Sequence, residues 1–261
     1  MANELSRLLP QLTEQGYSAI YVLDDASTDN SKDIVASFGP EVNFVAGVEN
    51  KGAGGNRNRI IDALGYDAFI HFLDADVELL TVNLVDEIRQ AASNVPFGFI
   101  GGLVLNKNGR QSSWNFGPRK SWRSGLASYV QAQIGLMADR SLDVAAKYRR
   151  MSRKLLFDRP NVLMTPERKQ VFWCLESNLV VDSRQFSAVG GFDENLREHE
   201  IMDLAIRMSK QGFKGYFDPR FAVKHTEGKV RDYNRSFARA KASFYIARKY
   251  GFYTYLFPES D

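Results

Sequence analysis

The chain has 261 residues, 44% hydrophobic and 25% charged, the balance of a folded domain rather than a disordered tract. No apolar run reaches the roughly 20 residues that span a bilayer, and the start carries no signal-peptide pattern. One cysteine, Cys174, excludes an internal disulfide framework and fits a reducing compartment, and a net charge of +3 is too mild to argue for a nucleic-acid partner.

Leu5, Leu8, Leu9 and Leu12 recur at helical spacing, so the chain opens with an amphipathic helix that Pro10 kinks or resets. Ala19 to Leu23 is a short apolar run ending in Asp24-Asp25, a buried strand. Thr28 and Asp29 can cap the next helix, whose apolar face carries Ile34, Val35 and Phe38. Val42 to Val48 is a second strand, and a glycine-rich turn, Gly52 to Gly55, leads into a helix with Ile60, Ile61 and Leu64. Ala68 to Leu73 is a third strand, ending at Asp74-Ala75-Asp76, and Val82, Val85 and Ile88 mark the helix after it. Strands alternating with helices predict an α/β fold, a Rossmann-related, mostly parallel sheet flanked by helices. Ligands of such sheets sit beyond the carboxyl ends of the strands, where both acidic pairs fall.

The second half is less regular. Phe97 to Leu105 reads as a strand, Asn108-Gly109 as a hairpin turn before Ser112 to Phe116, and Trp122 to Leu156 as largely helical. Within that stretch the cations from Lys147 to Lys154 form a solvated helix face or a peripheral contact with anionic lipid. Val171 to Val181 is extended, a turn follows at Gly190-Gly191, and Ile201, Leu204 and Met208 give a helical stripe. Gly215 to His225 is extended again, and a final helix runs from Asn234 to Tyr250. With no repeat or low-complexity linker, one domain is expected over 1–261.

Two carboxylates at alternate positions, Asp74 and Asp76, can hold a hard divalent cation that also bridges phosphates; they can equally cap a helix or face solvent. Asn50 to Asn58 combines glycines that admit close backbone approach, a helix start that favours anions, and Arg57, whose guanidinium pairs with phosphate. Its plainer reading is a glycine-rich connection with a surface arginine.

These segments together resemble the family-two glycosyltransferases of the GT-A fold. Val22-Leu23-Asp24-Asp25-Ala26-Ser27-Thr28-Asp29 is similar to the family's Val-Asp-Asp-Gly-Ser-Thr-Asp, and Asn50 to Asn58 to its Asn-x-Gly loop ending in Ala-Arg-Asn. Phe72 to Asp76 is similar to its Asp-x-Asp motif, Ser177-Asn178 through Glu194 to the segment before its catalytic helix, and Asp203-Leu204-Ala205-Ile206-Arg207 to its Asp-Leu-x-x-Arg. The likeness covers about residues 17–227. It implies that 1–95 binds a nucleotide-sugar, a UDP-sugar above all, and that 96–261, with the C-terminal helix, binds a glycan or glycoconjugate acceptor. Asp25 then meets the base, Arg57 the base or diphosphate, and Asp74 the ribose and the metal. Asp76 is the firmer ligand of Mn2+ or Mg2+, and His225 completes the metal site or stands as an ordinary strand-end polar residue. His71 reads as a packed core histidine, and Trp173 and Cys174 as either core or sugar-stacking residues.

In the family the base is the aspartate of a Glu-Asp pair just before Asp-Leu-x-x-Arg. Here the run is Glu198-His199-Glu200-Ile201-Met202-Asp203, with isoleucine in the aspartate's place. Glu200 is the substitute, with Glu198 and Asp203 as rivals, unless all three merely line an exposed helix start. The resemblance thus implies a metal-dependent hexosyltransferase of polysaccharide synthesis that acts with inversion, in the cytoplasm or at the inner face of the membrane. The altered base motif also admits a non-catalytic nucleotide-sugar or glycan binder. The resemblance further implies a strand ahead of the opening helix, central in the sheet beside the strand ending at Asp24-Asp25. The chain begins Met1-Ala2-Asn3-Glu4, already helical in pattern. The expectation is a truncated form with an open slot between the Ala19–Leu23 and Ala68–Leu73 strands, unless another segment or a neighbouring subunit fills it.

Overall fold

The computed structural model describes residues 1–93, 96–111, 115–117, 167–226 and 233–251, with six residues between 126 and 136. The basic cluster Lys147 to Lys154 lies outside them, as does most of the helical stretch predicted around it.

Helix α1 (Ala2–Thr13) buries the Leu5, Leu8, Leu9 and Leu12 stripe and continues through Pro10, which faces solvent. A proline loses one intrahelical bond, a cost that tertiary burial of the leucine stripe offsets. The Asp29 carboxylate accepts from the Met1 amino group and the Ala2 amide at 3.0 Å each, and from the Ser31 amide at 3.1 Å. One side chain therefore anchors α1 and starts α2 (Ser31–Ala36). Strands β1 (Ile20–Leu23) and β2 (Val42–Val45) flank α2 and pair in parallel.

Residues Gly52 to Gly55, expected as a turn, are instead the first turn of α3 (Gly52–Ala63). The helix starts there because the Asp25 carboxylate receives the Lys51 and Gly52 amides at 2.7 and 2.8 Å, an N-terminal anchor supplied from another element. The glycines serve packing: a methyl at Gly54 would sit 3.0 Å from Glu200 Cγ and 3.1 Å from Phe192 Cβ.

The main sheet is built from β3 (Phe69–Leu73), β4 (Val77–Leu79), β5 (Phe99–Leu105), β7 (Lys169–Val171), β9 (Asn178–Asp182) and β10 (Gly215–His225), in the order β3-β9-β5-β10-β4 with β7 on β10. Strands β3, β5 and β10 share a direction, and β9, β4 and β7 run against them. Short β6 (Phe116–Gly117) and β8 (Trp173–Cys174) pair beside it. Helices α4 (Leu84–Ser93), α5 (Ser183–Ala188), α6 (Glu200–Lys210) and α7 (Tyr233–Tyr250) complete the α/β architecture. The core joins sheet residues Phe99, Leu179 and Phe217 to Leu204 of α6 and Ile246 of α7. Trp173 and Cys174 are buried within it, which resolves both as packing residues. No helix among the described residues is long and apolar enough to cross a membrane.

Strands β1 and β3 do not pair. The ladder of β1 runs to β2 and that of β3 to β9, so β1–β2 stands as a separate two-stranded sheet. Between the facing edges lies a cavity of about 660 Å3, lined by Ile20–Leu23, by Phe69–Leu73, by the α1 leucines, by Ile60 of α3 and by Leu64 just past its end. The slot expected from the sequence is present.

Candidate active site

The carboxyl ends of β1 and β3 open on one rim, and α3 begins between them. Asp25 binds the first amides of α3, and Arg59 stands 3.7 Å from the same carboxylate while donating to the Asn56 side chain at 3.0 Å and the Glu49 carbonyl at 2.9 Å. Asp24 accepts the Ser27 amide at 3.0 Å, folding the loop back, with Ala26 at a positive φ of 62°. Arg57 projects from the next turn of α3 onto Asp74, 2.6 Å away, and lies 5.8 Å from the Phe192 ring centroid. Asp25, Arg57 and Asp74 therefore share one rim, as the sequence predicts. Arg59 is a second cation there that sequence reasoning passed over, although it stands two residues after Arg57.

Asp76 follows β3, and His225 ends β10, whose register sets His225 opposite Val77. That pairing puts His225 Nδ1 3.4 Å from Asp76 Oδ1. His225 Nδ1 is buried and has no hydrogen-bond partner among the described residues. A buried nitrogen facing a carboxylate without a bonded proton between them suits a shared cation. Ions that bridge phosphates take one or two protein ligands and complete their shell with water and substrate oxygens. Asp76 and His225 fit that donor set. Asp74, committed to Arg57, does not join them, and no cluster of three potential ligands is assembled among the described residues.

The three acids around α6 separate by partner. Glu198 is bound by Arg235 and by Arg239, the latter at 3.1 Å, both from α7. Asp203, fully buried, accepts from Arg207 at 2.7 Å, Lys249 at 2.8 Å and the Tyr250 hydroxyl at 2.7 Å. Lys249 also reaches Asp193 at 2.6 Å, where the Tyr245 hydroxyl donates at 2.9 Å. These acids hold α7 against α6. Glu200 makes no ion pair among the described residues and is 6% exposed. Burial, then the nearby Glu176 carboxylate, raise its proton affinity to about 7. Glu176 itself accepts the Ile201 amide at 3.0 Å, at the start of α6. It is a second acid that the sequence reading missed, and its place just before Ser177-Asn178 was the available signal.

His71 lies away from this rim. Its Nδ1 accepts from the Tyr17 hydroxyl at 2.6 Å and its Nε2 donates to Asn178 Oδ1 at 2.7 Å, and burial lowers its pKa to about 4. It is a neutral packed histidine, as its sequence context predicts. The reciprocal Asn58–Phe192 pair, at 2.8 and 2.7 Å, ties α3 to the Gly190-Gly191 turn and so fixes the distance between the two halves of the rim.

No curated protein sequence matches the chain. Among solved structures the fold is similar to GalNAc-T7 with UDP, GalNAc and Mn2+, at 13% identity and TM-score 0.57 over 91% of this chain and 44% of that one. It is also similar to the mannosyltransferase PcManGT from Pyrobaculum calidifontis in complex with GDP-Man and Mn2+, at 13% identity and TM-score 0.53 over 97% and 69%. S. aureus TarS aligns at 15% identity and TM-score 0.55 over 86% and 34%. The chain spans less than half the length of the GalNAc-T7 and TarS chains, and at these identities the likeness shows the fold alone. The sequence match is more specific: the description "Glycosyl transferase family 2" covers residues 2–133, half of the chain, including Asp25, Arg57, Asp74 and Asp76. With half of the chain matched in sequence and the fold matched along nearly its whole length, the chain belongs to glycosyl transferase family 2.

Proposed function

We propose that this chain transfers a sugar from a uridine diphosphate-sugar to a hydroxyl of a glycan or glycoconjugate acceptor, with inversion at the anomeric carbon. The observation that carries the reading is the division of labour among the acids. Glu198 and Asp203 are bound by cations, whereas Glu200 is buried beside the α3 start with its proton affinity raised to about 7. A base poised near the working pH is suited to take the acceptor hydroxyl's proton as that oxygen attacks. Arg57 and Arg59 at the rim supply positive charge for the departing diphosphate, and the amides at the α3 start favour the same anion. Asp25 shapes the loop through Lys51 and Gly52 and retains carboxylate lone pairs for the base. Asp76 and His225 would hold Mn2+ or Mg2+, which when bound supplies charge neutralisation of the diphosphate.

A uridine diphosphate-sugar with Mn2+ or Mg2+ is expected to raise the melting temperature more than either alone. Asp76→Ala should remove the joint effect and leave the apo protein folded. Glu200→Gln should keep donor affinity and lower turnover by about 10²-fold or more. The isoleucine at position 201, in the family's acid position, favours a second reading as a non-catalytic donor binder. Donor binding without transfer or hydrolysis across an acceptor panel would establish that second reading.

A further inference from the structure

We infer that Arg235 and Arg239 form a seat for an anionic group on the acceptor, a phosphate or a carboxylate, so that the accepting hydroxyl belongs to an acidic glycan or glycoconjugate. That the occupant is the acceptor rests on the transfer proposed above; the seat itself rests on the two arginines. Both stand on α7, four residues apart and so on one face of the helix. Each donates from Nε to the same Glu198 carboxylate, Arg239 at 3.1 Å. The Glu198 side chain is 13% exposed, whereas that of each arginine is 43% exposed. No η nitrogen of either arginine donates a hydrogen bond to a described residue. Glu198 therefore fixes both guanidinium groups through Nε and leaves their η forks unbonded.

Charge balance argues that holding Glu198 is not their whole task. One carboxylate neutralises one guanidinium, so the trio keeps one positive charge. Like charges four residues apart on a helix repel, and a tie to Glu198 needs only one of them. Two fixed forks side by side suit a group with several anionic oxygens, which a neutral sugar does not offer. Arg235 also lies in the first turn of α7, where unpaired backbone amides favour an anion.

The position of the pair selects the acceptor over the donor. The chain turns at His199, whose φ is 63°, and Ser243 of α7 meets its Nδ1 at 3.2 Å. On one side of that turn Glu198 faces α7; on the other Glu200 packs against Gly54 of α3. The Glu198 charge acts on Glu200, so the arginines and Glu200 share one electrostatic neighbourhood. The donor rim has its own cations, Arg57 and Arg59, both on α3. An anion held on α7 thus belongs to the molecule whose hydroxyl meets Glu200.

The test uses glucose, glucose 6-phosphate and glucuronate, which share a ring and differ in charge. Their affinities are measured by NMR titration at low salt, where exposed charges are least screened, and affinity for uridine diphosphate with Mn2+ is measured alongside. At least one anionic sugar should bind about tenfold or more tighter than glucose, and the stronger of the two identifies the group as phosphate or carboxylate. Arg239→Gln should remove most of that preference and leave uridine diphosphate affinity unchanged. Arg235→Gln carries the same test should the first variant fail to fold, since the remaining arginine still pairs with Glu198. Equal affinity for the three sugars overturns the proposal. So does a matching loss of uridine diphosphate affinity in either variant, because the pair would then serve the donor diphosphate. An arginine-dependent anion preference with no sugar transfer to any acceptor leaves the seat standing and sinks the proposed function. Transfer at equal rates to neutral and acidic acceptors does the reverse.

Discussion

The main sheet and the β1–β2 sheet use similar residues and reach opposite states. In the main sheet, Leu179, Val180 and Val181 of β9 and Phe217 and Val223 of β10 are all fully buried. In β1, Ile20 to Leu23 are as apolar, yet each is half-buried, because one of the strand's two neighbours is a cavity. Apolar sequence makes a strand; burial on both edges makes it a core strand. The difference belongs to topology, and it predicts that the halves of the protein differ in how much each contact contributes.

The largest expected effect lies in the closed half. Phe217→Ala removes a fully buried ring 4.5 Å from that of Phe116 and should cost about 3–5 kcal/mol in denaturant unfolding. Val22→Ala, beside the slot, should cost about 1 kcal/mol or less, since its surroundings are already open. Equal losses at the two positions would erase the comparison.

Next in size is a pH effect at the seam between the halves. Glu200 keeps its proton up to about 7 in the folded state, against 4.5 for the free carboxyl. Below pH 4.5 both states are protonated and the group is neutral in its effect. Between 4.5 and 7 the unfolded chain ionises first and binds fewer protons, so stability falls as pH rises, by up to about 3 kcal/mol above pH 7. Glu200→Gln should therefore stabilise the protein at pH 8 and converge with the wild type near pH 4.5. A stability difference that does not vary with pH would mean that Glu200 is solvated.

A smaller loss, about 2 kcal/mol, is expected for Lys249→Met, which leaves Asp203 and Asp193 without their shared ammonium while Arg207 and the tyrosines remain. Loosened exchange protection in α7, with β1 unaffected, would place this network in the main-sheet half alone.

How much of this was legible depended on how local each cause is. The bounds of β10, the α1 leucine stripe and the α6 stripe follow from short-range pattern, and the structure reproduces them. The rim carboxylates Asp25 and Asp74 were legible as motifs because they sit at strand ends, and Arg57 because it follows a glycine-rich run. The helical start at Gly52 was not, since Asp25, which fixes it, lies 27 residues earlier. Nor was the fate of Asp203, whose partners Lys249 and Tyr250 come from the last helix, 46 and 47 residues on. Strand β4, three residues long, is too short to carry a periodicity and exists because β10 pairs with it.

The smallest predicted effect is the most diagnostic of the site. A helix start ordinarily stabilises a carboxylate and lowers its proton affinity. At α6 the Ile201 amide is taken by Glu176, and for Glu200 burial and this like-charged neighbour outweigh the lowering pull of its own backbone amide. Arg57 opposes that shift and Glu198 adds to it, but both rank below Glu176. Glu176→Gln keeps a side-chain oxygen for the Ile201 amide and removes the charge. A carbon-detected NMR titration should then show Glu200 ionising at lower pH, and the acid limb of kcat/KM should move the same way with its plateau little changed. If Glu176 only props up the helix, the plateau would fall at every pH and the limb would stay in place.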